Sequence, residues 1–314
     1  MRPRFVLLVL AFLLLVICGF MLVPMGIALY LKEWAALKAF LIPVLITAAL
    51  CGGVLYGFRN IPRKGLNSKA GFLLVSSSWV AASLLGCLPF YLSGHIPSIA
   101  DAFFATLSGF TTTGASILTD IEALPQSLLF WRSLTHWLGG MGIVVLTLAV
   151  LPLLDIGGLQ LIKAEAPGPT MDKITPRITE TAKILWLVYI GYTVAETLLL
   201  MFGGMSLFDA LTHTFGTLAT GGFSPKAASV GHYDSAYIDA VITLFMVLAG
   251  MNFVLHFKLL TGRFKEALGD NELKAYFLIY GISVILITVS LLGTVSNSIA
   301  QCLRYSTFQA ATVI

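Results

Sequence analysis

Long, uninterrupted apolar runs constrain the folding of this chain more than any other feature. Of its 314 residues, 58% are hydrophobic and only 11% are charged, whereas a soluble domain carries about 25% charged residues. The runs reach about 20 residues or more, which is enough to cross a bilayer as helices. Because lipid cannot satisfy exposed backbone groups, they predict an all-α integral membrane protein. Seven spans are predicted, at about 5–31, 38–58, 71–93, 128–154, 182–204, 236–260 and 274–296.

The basic residues predict the orientation of these spans. With the N-terminus on the cytoplasmic side, all but five of the 19 Lys and Arg residues lie inside, as the positive-inside rule requires. The first run is too long for a signal-peptide core and is expected to be retained. The five basic residues that this orientation leaves on the outer side are Lys32, Lys38, Arg132, Lys226 and Arg304.

A short segment occurs twice between the predicted spans. Asp101–Gly114 and Asp209–Gly222 each begin with Asp-Ala, continue as an apolar run too short to span, and end in Thr-x-Gly. A third run, 300–314, aligns with the first if Phe308 occupies the position of Phe104. On that register a third Thr-x-Gly would begin just beyond Ile314, so we expect the sequence to be truncated.

A short helix followed by a Thr/Gly loop at membrane depth is typical of an ion-selectivity filter. Backbone carbonyls replace the water shell of a potassium ion, glycine permits the dihedral angles that aim them inward, and threonine stiffens the loop. One Thr-Thr-Thr-Gly segment is weak evidence, but two copies at the same depth indicate a pore built from repeats. The partial negative charge at the C-terminal end of each half-helix also favours a cation.

The repeated unit is larger than the loop. Gly140-Met141 matches Gly250-Met251 in the spans that follow the two loops, so each unit consists of span, half-helix, loop and span. The predicted divisions are an N-terminal hairpin with a basic loop (1–70), a first pore unit (71–181), a second pore unit (182–273) and the start of a third (274–314).

Four segments together resemble the Trk/Ktr/HKT superfamily of potassium transporters, and within it the membrane subunit of bacterial Trk systems. The residues that carry the resemblance are Ser108–Ser116, Trp131–Gly142, Lys163–Pro169 and Leu218–Ser224. The resemblance covers essentially the whole chain, including the additional N-terminal helix pair.

The resemblance implies potassium uptake across the bacterial inner membrane through four such units around one pore. It also implies a homodimer and a cytosolic nucleotide-binding regulatory ring. No organic cofactor and no nucleic-acid partner are expected, and the sequence contains no HExxH, GxSxG or paired intramembrane Asp that would indicate an enzyme. Glycine at position 114 resembles the potassium-selective members, whereas serine is found in members that tend toward sodium. A sodium-permeable or cation-coupled symporter of the same fold is the alternative. The implied ion-binding residues are Thr111, Thr112, Thr113, Gly114, Ala219, Thr220, Gly221 and Gly222.

Several other polar residues allow more than one interpretation. Asp101 and Asp209 are expected to be helix N-caps. Asp209 and His213 could share a metal, but no third ligand is evident. Glu196, inside a span, is either functional or paired with a basic group.

The second span of the first unit raises two further questions. Arg132, His136 and Trp137 are interpreted first as anchors at the membrane interface, and second as residues that hold the filter loop. Gly139, Gly140 and Gly142 are expected to let this span approach the half-helix and the filter closely.

Overall fold

The computed structural model describes residues 3–59, 68–142 and 178–314, and regular secondary structure in these ranges is helical. The predicted cytoplasmic motif Lys163–Pro169 and the inner part of the fourth span lie outside them. The helices are α1 (Pro3–Tyr30), α2 (Trp34–Gly57), α3 (Ser68–Leu92), α4 (Ile99–Phe110), α5 (Gln126–Gly140), α6 (Ile178–Phe202), α7 (Leu207–Leu218), α8 (Ala236–Gly250), α9 (Phe253–Leu260), α10 (Phe264–Leu268), α11 (Asn271–Leu291) and α12 (Ile299–Val313).

Five of these helices, α1, α2, α3, α6 and α11, are long and apolar enough to cross a membrane. They confirm five of the seven predicted spans, with boundaries that differ by a few residues. The fourth span begins as α5 at Gln126. The chain is therefore a multi-pass, all-helical membrane protein in the ranges that the structure describes.

The sixth predicted span, 236–260, is not one continuous helix. It breaks after Gly250, and α8 and α9 meet at an angle of 103°. Met251 is extended, and Asn252 caps α9 by accepting the N–H of Val254. Side chains of His256 and Tyr276 bind two carbonyls that the break frees, those of Leu248 and Val247. The apolar run hides this break because both halves remain hydrophobic.

The two pore units repeat with almost identical helix boundaries. The first helices, α3 and α6, each have 25 residues, and the last, α5 and α8, each have 15. Both pairs are 110 residues apart, whereas the half-helices α4 and α7 are 108 apart. The second unit therefore has a connection two residues shorter before its half-helix and one two residues longer after it.

The N-terminal hairpin packs against the first pore unit. Helices α1 and α2 contact α3, and α1 also contacts α5. In the turn between them, the Glu33 carboxylate accepts hydrogen bonds from the backbone N–H groups of Gln126 and Ser127, at 2.9 and 3.2 Å. It thereby caps the start of α5, whose own N-cap residue, Pro125, makes no side-chain cap.

A continuous apolar core surrounds the first half-helix. Trp131 of α5 is fully buried, stacks edge-on with Phe110 and Phe40, and donates its indole N–H to the carbonyl of Gly86 at 2.9 Å. A Cβ on Gly86 would lie 2.8 Å from Thr106 of α4. This close packing fixes α4 between α3 and α5 and thereby positions the loop that follows α4.

Candidate ion-filter site

Both half-helices begin with the same cap, which is not the residue that the sequence indicated. Ser98 and Ser206 are the N-caps, and their hydroxyls accept the backbone N–H groups of Asp101 and Asp209 at 3.3 and 3.1 Å. The two Asp residues were wrongly predicted to be caps; each occupies the third helical position. There a carboxylate still interacts favourably with the positive end of the helix dipole. The pattern Ser-x-x-Asp was a signal that could have located these caps.

Both half-helices also end in the same way. The N–H of Thr112 bonds to the carbonyl of Gly109, and that of Thr113 to the carbonyl of Ser108, at 3.1 and 2.9 Å. Thr220 and Gly221 make the equivalent bonds at 3.0 and 2.9 Å. This is a Schellman ending, in which the residue after the C-cap adopts the left-handed conformation.

That left-handed position is occupied by threonine in both loops. Thr112 has φ of 54° and Thr220 has φ of 52°. A β-branched residue with positive φ is an outlier, and such strain costs about 1–3 kcal/mol and is typical of functional sites. Two residues later Gly114 and Gly222 are again left-handed, with φ of 75° and 82°.

The loops therefore share a backbone pattern that turns the chain twice within four residues. Each starts with a C-cap, Thr111 or Ala219, that has φ near −80° and ψ near 0°. A left-handed residue follows it directly, and the sign of φ is positive again at the glycine. The peptide planes therefore turn relative to one another in a way that a regular helix or strand does not show.

The two loops touch each other. A Cβ built on Gly114 would lie 2.1 Å from the carbonyl oxygen of Gly221, far inside normal contact. The structure thus brings the predicted ion-binding residues of both repeats to one place. The sequence alone could place them only at the same depth.

Two glycines of α5 bring this helix against both pore loops. A Cβ on Gly139 would lie 2.0 Å from the carbonyl oxygen of Phe110, and one on Gly140 would lie 2.6 Å from the Cα of Ala219. The predicted close approach is confirmed for these two residues. Gly142 has φ of 62°, which also suits glycine.

Each loop is tied to its own half-helix by a different side chain. In the first, the Ser108 hydroxyl donates to the carbonyl of Ala115 at 2.8 Å. In the second, His213 Nδ1 bonds to the carbonyl of Asp209, and its Nε2 bonds to the Ser224 hydroxyl at 3.1 Å. Because a carbonyl only accepts, a neutral His213 carries its proton on Nδ1 and accepts from Ser224. Nδ1 thus fixes the ring on its own helix, and Nε2 holds Ser224, which follows the second loop.

Arg132 and His136 are buried inside the protein, which contradicts the first interpretation of them as anchors that face lipid headgroups. Arg132 is 4% exposed and His136 is fully buried. Both contact the second filter loop, as the second interpretation proposed. Trp137 packs among Trp186 and Tyr189 and donates to the Thr193 hydroxyl at 2.9 Å. The basic charge of Arg132 near the end of a predicted span had favoured the interpretation as an interface anchor.

Glu196 is fully buried in α6, and neither carboxylate oxygen has a hydrogen-bond partner in the part of the chain that the structure describes. The adjacent Thr197 contacts Thr214 of α7 at 3.3 Å, so this stretch of α6 lies against the second half-helix. The predicted pairing with a basic group is not found among the described residues.

A helix, α12, is present where the third half-helix was predicted. Its N-cap Ser298 accepts the N–H of Gln301, as Ser98 and Ser206 accept N–H groups at the start of α4 and α7. With 15 residues, α12 is longer than α4 and α7, which have 12 each, so the match of Phe308 to Phe104 stays a prediction. Arg304 bonds to Asp239 of α8 at 2.7 Å.

The fold and the paired loops define a multi-pass membrane protein built from pore-loop repeats. A family model described as TrkH, cation transport protein, matches residues 36–309. The chain belongs to this family.

Two similar proteins support this family assignment. The Trk system potassium uptake protein TrkH of Escherichia coli K12 is 41% identical over 307 residues, which cover 96% of this chain and 63% of that protein. TrkH of Halomonas elongata is 39% identical, with coverage of 100% and 65%.

The crystal structure of the potassium transporter TrkH from Vibrio parahaemolyticus superimposes with a TM-score of 0.84 at 33% identity. The match covers 100% of this chain and 64% of that one. The chain thus spans just under two thirds of the length of these relatives.

Proposed function

We propose that this chain contributes two carbonyl-lined loops to a potassium-selective pore for uptake across the bacterial inner membrane. The proposed ion-binding residues are those of the two loops, Thr111–Gly114 and Ala219–Gly222. The observation that carries the proposal is their shared backbone, in which threonine is held in a strained left-handed conformation at the same place in each repeat. A strain that recurs in both repeats is best explained by a requirement on where the carbonyls point.

Potassium is favoured over other cations by the chemistry of the loops. Carbonyl dipoles can replace a hydration shell without the strong hold of a carboxylate, and no Asp or Glu occurs within either loop. The relatives named above are potassium uptake proteins or a potassium transporter, and none of these names supports the sodium alternative.

The wider assembly is proposed on the family resemblance and the charge distribution. The N-terminus is cytoplasmic because the basic residues concentrate on that side. A homodimer and a cytosolic nucleotide-binding ring follow from the resemblance, as does the division into an N-terminal hairpin and successive pore units.

Gly114→Ser tests the proposal because it perturbs the contact between the loops. The new Cβ would meet the carbonyl of Gly221 at 2.1 Å while φ stays positive. Gly94→Ser is the matched control, since Gly94 has nearly the same φ, 79°, with nothing within 4 Å of its Cβ position.

The full-length protein should restore growth at low potassium in cells that lack their own uptake systems, and should conduct potassium in liposomes. We expect Gly114→Ser to reduce the preference for potassium over sodium, and Gly94→Ser to leave it unchanged. Absence of cation flux in the unmodified protein, or an unchanged preference in Gly114→Ser, would refute the proposed role of the loops.

A further inference from the structure

The side chain that follows the second filter loop is held between two groups of the first repeat. Phe223 comes directly after Gly222. Its ring centroid lies 3.6 Å from the guanidinium carbon of Arg132 and 3.8 Å from the centroid of the His136 ring, which is nearly parallel to it. Two groups so close to one centroid cannot share a face of the ring, so Phe223 lies between them. Cation–π contact and aromatic stacking act here on a buried ring.

The same two side chains also hold the backbone. Arg132 donates to the carbonyl of Ser224 at 3.1 Å, and the N–H of Phe223 lies 3.4 Å from Nδ1 of His136. Because Nδ1 accepts this N–H, a neutral His136 carries its proton on Nε2. The main chain at positions 223 and 224 is therefore fixed from α5, a helix that belongs to the other repeat.

Contact with His136 extends into the filter loop itself. A Cβ on Gly221 would lie 2.4 Å from His136 Nδ1, and the carbonyl oxygen of Gly221 faces Gly114 of the first loop. Gly221 is thus packed between the imidazole ring and the opposite loop. A shift of the ring would change the spacing of the carbonyls in both loops.

This arrangement has no counterpart at the equivalent positions of the repeat. At the offset of 108 residues, Phe223 corresponds to Ala115 of the first loop. At the offset of 110, Arg132 and His136 correspond to Ile242 and Met246 of α8. The caps of the half-helices and the loop backbone recur in both units, so this contact is added to a framework that the two repeats share.

We propose that Arg132, His136 and Phe223 form an inter-repeat clamp that positions the second loop and thereby determines cation selectivity. The clamp rests on the proposed function of the loops as a potassium filter. The first loop has a separate tie to its own half-helix, the hydrogen bond from the Ser108 hydroxyl to the carbonyl of Ala115. Discrimination between potassium and sodium depends on the number and geometry of the carbonyls around the ion, so loosening one loop lowers selectivity more than it lowers total flux.

The test compares Phe223→Leu with Phe223→Tyr, which keeps the ring. Phe5→Leu is the control, because Phe5 is almost fully buried but lies near the start of α1, outside the packing around Trp131. His136→Phe is a further variant that can stack yet cannot accept the N–H of Phe223. Each full-length variant is purified and assayed in liposomes for potassium and sodium flux.

We expect Phe223→Leu to conduct with a potassium preference reduced about tenfold, equivalent to about 1.4 kcal/mol of discrimination. Phe223→Tyr and Phe5→Leu should stay close to the unmodified protein, and His136→Phe should lie between. An unchanged preference for potassium over sodium in a folded Phe223→Leu protein would refute the proposed role of the clamp. If Phe223→Leu does not fold, an unchanged preference in His136→Phe would refute that role instead.

Hydrogen exchange gives a readout that does not depend on transport. The backbone amides of residues 221–224 and 226 should exchange about tenfold faster in Phe223→Leu, and at the normal rate in Phe5→Leu. If the unmodified protein conducts no cations, the proposed function fails, and faster exchange would still support the clamp as a positioning device. Equal exchange rates in Phe223→Leu and the unmodified protein would contradict it.

Discussion

Replacing Gly139 by alanine forces α5 away from the first half-helix. The new Cβ would meet three backbone atoms of Phe110, its carbonyl oxygen, carbonyl carbon and Cα, at 2.0, 2.8 and 3.1 Å. No flexible side chain can move aside, so the two helices must separate by about 1.4 Å to bring the 2.0 Å contact to the 3.4 Å of ordinary contact. Overpacking of this kind costs about 1–3 kcal/mol, and contact with backbone places Gly139→Ala at the upper end.

A second effect acts in the opposite direction. Alanine is favoured over glycine inside a helix by about 1 kcal/mol, so the net loss of unfolding free energy should be about 2 kcal/mol. Gly191→Ala measures the propensity effect alone, since nothing lies within 4 Å of its Cβ position in α6. We expect Gly191→Ala to stabilise the protein by about 1 kcal/mol.

Unfolding in mixed micelles, followed by circular dichroism, gives the free energies of both variants. The two free energies of unfolding should differ by about 3 kcal/mol. The propensity gain is common to both variants and cancels, so the difference is the steric loss in Gly139→Ala alone. Equal stability of Gly139→Ala and Gly191→Ala would show that α4 and α5 are not packed backbone to backbone, and the positioning of the first loop would need another explanation.

Three further predictions concern single side chains. Thr112→Gly should be at least as stable as Thr112→Ala in thermal unfolding, because glycine adopts a positive φ without the strain of about 1–3 kcal/mol. A glycine variant less stable than the alanine variant would contradict this strain. Glu33→Gln should lower the free energy of unfolding by about 1–2 kcal/mol, because the charged cap of α5 is weakened. Glu122→Gln is the control, since the Glu122 carboxylate accepts a single backbone N–H, that of Ala227. Glu196→Gln should not destabilise the protein, because its carboxylate has no partner among the described residues, whereas loss of about 3–5 kcal/mol would reveal a buried ion pair.

The spans and the repeat were predictable because each rests on a strong, local signal. Apolar runs of the right length predict helices in lipid almost without alternatives. The duplicated Asp-Ala and Thr-x-Gly segments predicted the equivalence of the two loops, and the matching backbone angles of Thr112 and Thr220 agree with it.

The break after Gly250 could not be predicted from hydrophobicity. Both α8 and α9 are apolar, and the carbonyls freed at the break are bound by His256 and Tyr276, which lie 8 and 29 residues from their partners. The one local hint was Asn252, a good N-cap residue in the middle of an apolar run.

The contacts of Arg132 and His136 could not be predicted for a different reason. Their partners, Phe223 and Ser224, lie 87 and 92 residues along the chain, and only the close packing of α5 against the second half-helix brings them together. Rules for basic residues near span ends describe charges that face lipid headgroups, and they fail when the charge is buried against another repeat.

The most direct test of the central claim is to locate the ion. Crystals of the full-length protein grown with rubidium in place of potassium should show anomalous density on the pore axis, between the backbone carbonyls of Thr111–Thr113 and those of Ala219–Gly221. Rubidium bound only elsewhere, with no density between these two loops, would contradict the assignment of the paired Thr/Gly loops as the filter.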